Sequence, residues 1–210
     1  MPKLKKSQKI LLIAAAAALL CALCGCAVSN VEELYALPRH SDEDNELQKA
    51  IDSVMTEGVQ YAAPVSGKNQ QSVQLADLDA DGEDEAIVFL RVPGDRPLRA
   101  CVFDLTDGAY RSLGFIDGSG AAFERAEYVQ LDGEPGVEIV LGRQVGNQVL
   151  RAMSVYTLRE GQLVELMSTN YSEYALTDLD LDGNREIFLL RFDPEAKTGT
   201  AGLYRWNGSA

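Results

Sequence analysis

Hydrophobic and polar positions change rhythm three times along the 210 residues. A lysine-rich start, with Lys3, Lys5, Lys6 and Lys9, runs into an uncharged apolar stretch from Ile10 to Leu23. Between about Asp42 and Glu57 the period becomes helical, with Leu47, Ile51, Val54 and Met55 on one face. Ser41 with Asp44 resembles a capping box at its start, and Gly58 is placed to stop it. Beyond residue 70 the helical period is gone. Short runs of Val, Ile, Leu, Phe and Tyr alternate there with Gly, Asp and Asn turns, which predicts an all-β domain behind one amphipathic helix.

The β segments repeat. With Glu85, Glu138 and Glu186 in register, DLDADGEDEAIVFL, QLDGEPGVEIVLG and DLDLDGNREIFLL align at offsets of 53 and 48 residues. Each apolar run is followed by a strand carrying an aromatic, in RACVFDLTDG, AMSVYTLREG and GLYRWNG. Two copies add a third strand, AYRSLGFI and QLVELMST, and a fourth that leads to the next acidic loop, FERAEYVQLD and YSEYALTDLD. A unit of about 50 residues and four short strands has the size of a β-propeller blade.

The acidic loops carry the most specific chemistry. In D-x-D-x-D-G-x-x-E, alternate aspartates of an irregular loop turn toward one centre, and the glycine permits the closing positive φ. Carboxylates about 4 to 5 Å apart repel by roughly 3 to 4 kcal/mol per pair at an effective dielectric near 20, so the arrangement calls for a cation. An oxygen-only set in a flexible loop suits Ca²⁺ better than Mg²⁺. The first expected site uses Asp77, Asp79, Asp81, the carbonyl of Glu83 and Glu85. The other uses Asp178, Asp180, Asp182, the carbonyl of Asn184 and Glu186. In the middle copy Gln130 and Glu134 replace the first and third aspartates, leaving Asp132 and Glu138, so that loop is expected to be a plain turn or a weak site. An EF-hand needs a bidentate glutamate at position 12, where this chain has Val88 and Leu189. The alternative for the two strong loops is a solvated turn held by Asx hydrogen bonds.

Together the repeat and its loops resemble the FG-GAP and VCBS-type repeats of integrin-like propellers, over roughly residues 70 to 208. The resemblance implies about three four-stranded blades with structural calcium. Closed propellers have four to eight blades. The expectation is therefore a partial or truncated propeller: the front of a longer protein, or an open arc that needs a partner.

The chain start is laid out like a secretory signal. LCGC, Leu23 to Cys26, resembles the lipobox of bacterial lipoproteins, which implies cleavage after Gly25 and lipidation of Cys26. The competing reading is an uncleaved membrane-spanning helix over Ile10 to Val28. Both place the rest outside the cytoplasm. The domain reading is then a signal over 1–26, a connector over 27–40, a helix and linker over 41–69, and blades over 70–210. Loss of residues 1–26 removes four lysines and no acid, taking the formal net charge from −13 to −17. Such a surface disfavours nucleic acid and favours cations. Cys101, in the apolar run ACVFDL, reads as a small buried hydrophobe.

Catalytic constellations are missing from the pattern. The one histidine, His40, stands alone in the connector, and no Ser-His-Asp, Cys-His or H-E-x-x-H arrangement can be built from the sequence. Carboxylate pairs keep a carbohydrate-active hydrolase as the alternative function. The preferred expectation is a non-enzymatic, lipid-anchored binding or scaffolding module that takes a protein or polysaccharide ligand.

Overall fold

The computed structural model describes residues 42–146, 151–193 and 195–208. The signal segment, Cys26, the connector with His40, and Ser41 lie outside the described residues. Among the described residues no helix is long and apolar enough to cross a membrane.

Among the described residues the fold comprises one helix and twelve strands. Helix α1 (Asp42–Val54) turns Ala50 and Ile51 into a core and ends three residues before the expected Glu57. It stops because Thr56 N–H turns back to the Val54 carbonyl and Gly58 takes φ 81°. A first sheet follows, built on β3 (Glu85–Arg91), β4 (Leu98–Thr106) and β5 (Ala109–Gly118). The free edge of β3 is shared by two short strands, β1 (Gln60–Tyr61) and β2 (Val73–Ala76). The second sheet runs β6 (Ala122–Val129), β7 (Glu138–Gln144), β8 (Arg151–Arg159) and β9 (Gln162–Tyr171). The third runs β10 (Glu173–Thr177), β11 (Glu186–Asp193) and β12 (Thr198–Tyr204). All pairings are antiparallel.

Sheet boundaries are offset by one strand from the repeat as read in the sequence. The strand before each acidic loop pairs with the strand after it, so β6 and β10 open the second and third sheets rather than closing the preceding units. Each acidic loop is therefore the turn of a hairpin. The segment read as a linker is also built into the sheets. Ala62 N–H donates to Phe89 O, then Val65 and Ser66 N–H donate to Phe123 and Glu124 carbonyls on β6, before Phe89 N–H meets Ser72 O.

Period-two alternation assigns each strand face to a neighbouring layer. On β3, Ala86, Val88 and Leu90 pack under α1, where Cys101 is also buried, while Ile87 and Phe89 pack against the second sheet. On β7, Ile139 and Leu141 meet the first sheet and Val140 meets the third. On β11, Ile187 and Leu189 meet the second sheet. The next face, with Phe188, Leu190 and Leu203, is 37, 42 and 52% exposed. The sheets thus stack without closing on one another. Phe89 and Phe123 join the first two edge to face at 5.0 Å, an arrangement that adds about 0.5 to 1.5 kcal/mol beyond burial. Tyr171 and Tyr174 are buried edge to face, whereas Tyr204, across from Ile187, is 37% exposed. Even an irregularity recurs. β-Bulges leave Leu113 and Leu166 without register partners, at the same spacing as Glu85 and Glu138.

Candidate metal centres in the acidic loops

All three acidic loops share one scaffold. The glutamate opening the following strand is buried and accepts the backbone N–H seven residues earlier: Leu78 N to Glu85 at 2.6 Å, Leu131 N to Glu138 at 2.6 Å, and Leu179 N to Glu186 at 2.9 Å. The chain closes this ring through positive φ at Ala80 and Gly82 in the first copy and at Leu181 and Gly183 in the third. Glycine relieves the strain at one of the two positions, and Ala80 and Leu181 carry the rest.

On this scaffold the first loop gathers Asp77, Asp79 and Glu85, and the third gathers Asp178, Asp180 and Glu186; in each set one carboxylate oxygen per residue lies within 4.8 Å of the others. Two acidic clusters therefore have the geometry to hold a metal ion. Burial is the main cause of a raised pKa at Glu85, pushed up to about 7; the Leu78 N–H opposes it, and the charges of Asp79, Asp104 and Asp81 add to it. Burial raises Asp79 as well. In both loops the Oδ1 of the first aspartate, Asp77 or Asp178, is shut away from solvent with no hydrogen-bond partner. A buried anionic oxygen without a donor is costly, and a cation between the carboxylates relieves it.

The structure brings together three of the four carboxylates expected at each site. Asp81 and Asp182 stand outside the convergent sets, their Oδ1 atoms accepting N–H groups from Glu83 and Asn184, both at 2.8 Å, as in an Asx turn. Glu83 and Asn184 enter these loops through those N–H groups.

The middle loop satisfies itself. Gln130 accepts N–H groups from Asp132 and Gly133 and donates to the carbonyls of Glu134 and Gly136. Arg159 reaches Asp132 at 2.9 Å, and Thr157 donates to Glu138 at 3.2 Å. The inside of this turn is held by an amide and a guanidinium. Gly136 is required here, since a Cβ would lie 2.1 Å from the Leu78 carbonyl where the first two loops meet. Backbone bonds link all three loops, Val137 N–H to Leu78 O at 3.3 Å and Arg185 N–H to Gln130 O at 2.8 Å.

Sequence reasoning missed Arg205. It stands just beyond β12 and binds Asp180 at 2.6 Å and Glu186 at 3.1 Å. The signal that could have found it is register: β12 pairs with β11, so the residue after Tyr204 faces Glu186. Cys101 carries no such chemistry, as burial pushes its thiol up to about 11.

No protein-family model matches the chain, and a search of curated proteins finds no match either.

Proposed function

We propose that the protein is a lipid-anchored, extracytoplasmic binding or scaffolding module of propeller type, whose stacked sheets are stapled by Ca²⁺ at the first and third acidic loops. The carrying observation is the pair of convergent carboxylate sets, each with one buried aspartate oxygen lacking a partner. Oxygen-only ligands in an irregular, partly exposed loop suit Ca²⁺, with an affinity of about 10⁻⁴ to 10⁻³ M as in extracellular modules. The role is structural, because each loop turns directly into a strand whose first two residues are buried in the sheet. The anchor and location rest on the lipobox resemblance at Cys26, and the FG-GAP or VCBS-type reading on the loop repeat. A protein or polysaccharide is the ligand class, in keeping with a surface that is acidic overall.

Thermal unfolding in EDTA, then with a Ca²⁺ titration and a Mg²⁺ control, tests this reading. A Ca²⁺-specific rise in Tm, lost when Asp79 and Asp180 are both changed to Asn, is expected. An unchanged Tm in a cooperatively folded chain would make the loops plain turns.

A further inference from the structure

The two carboxylate sets differ at one cross-strand position. Ala86 pairs with Phe103, Ile139 with Tyr156 and Ile187 with Tyr204. The next residues along the second strands, Asp104, Thr157 and Arg205, therefore stand across from the three scaffold glutamates. At the first loop this position adds a negative charge, and Asp104 is among the groups raising both Asp79 and Glu85. At the middle loop it supplies a neutral donor to Glu138. At the third loop it supplies a guanidinium that engages two members of the convergent set, Asp180 and Glu186. A cation bound by those same carboxylates competes directly with this guanidinium.

Resting on the cation reading above, we infer that the residue across from the scaffold glutamate sets the order of filling. The first loop, backed by Asp104, takes its ion at the lower concentration. The third fills only as Arg205 leaves Asp180 and Glu186, and so holds its ion more weakly. Arg205 is a built-in competitor. Its side chain is half exposed and can swing into water without opening the core.

Two single-site forms of the full-length chain separate the loops, Asp79→Asn leaving the third and Asp180→Asn leaving the first. Calorimetric titration with Ca²⁺ should find tighter binding in the second form. Adding Arg205→Ala to the Asp79→Asn form should tighten its Ca²⁺ binding roughly three- to tenfold, the size expected for releasing two partly exposed ion pairs. Adding Asp104→Ala to the Asp180→Asn form should weaken its binding. Trp206, the only tryptophan and the neighbour of Arg205, gives a second readout through sensitised Tb³⁺ emission that should strengthen with Arg205→Ala. If Ca²⁺ binds the third loop with equal or lower affinity after Arg205→Ala, the competitor role is wrong while the cation reading stands. If no form binds Ca²⁺ by calorimetry, both fall.

Discussion

The middle acidic loop and the two that flank it share a glutamate and a backbone clamp, yet differ in what fills the turn. Around Glu138 the polar atoms are answered from within, by Gln130, Thr157 and Arg159. Around Glu85 and Glu186 an aspartate oxygen is left without a donor. The difference separates two roles that the sequence motif runs together. The glutamate belongs to the fold, because it holds the chain end of one strand to the start of the next in every copy. The aspartates are an addition that changes how the same turn is neutralised.

Removing the shared part should have the largest effect. Glu138→Leu strips Leu131 N–H and the Thr157 hydroxyl of a buried acceptor and should cost about 2 to 3 kcal/mol in urea unfolding without added cation. A loss below about 0.5 kcal/mol would mean that the clamp does not hold the turn. Next in size is the gain that only the flanking loops should give. Ca²⁺ at about a hundred times its Kd should stabilise the chain by about 2.7 kcal/mol per site, and Glu138 variants should retain that gain.

Arg159→Ala sharpens the comparison from the other side. It leaves the Asp132 carboxylate buried without its ion pair and should cost about 1 to 2 kcal/mol. Ca²⁺ should not restore the loss, since the Gln130 amide still fills the turn. Recovery with Ca²⁺ would show that the middle loop is a site once its guanidinium is gone.

A pH slope probes the first loop by itself. Glu85 titrates near 7 in the folded chain against 4.5 when unperturbed, so between those values the native state holds the extra proton. Stability without cation should therefore fall as pH rises from about 4.5 to 7. Glu85→Gln should flatten that part of the profile, as should saturating Ca²⁺. A slope unaltered by the substitution would place its origin elsewhere.

Much of this was legible in the chain. The helical face through Ile51 and the alternation through Val88, Val140 and Leu189 mark core positions because burial imposes its period directly on residue type. The aspartates at 77, 79, 178 and 180 were legible for a similar reason, as like charge is not crowded without cause. Pairing was not. Alternation shows that β6 is a strand but not whether it hydrogen-bonds to β5 or β7, and the two-residue β1 is too short to display a period. Asp81 and Asp182 fit the motif, yet they stand outside the convergent sets, a placement that the path of the loop decides and the motif does not show. Arg205 lay 25 residues from its partner Asp180, a contact visible only once strand register is known.

Among the described residues the stack also has a capped end and a bare one. Helix α1 covers Ala86, Val88 and Leu90, while Phe188, Leu190 and Leu203 stay partly in water. Where layers touch only their neighbours, stability is close to a sum of layer and interface contributions. The third sheet has one such interface and the inner layers have two. Its amides should accordingly exchange with deuterium first, opening should spread from β12 toward α1, and an ion at the third loop would act as a brake on that unzipping.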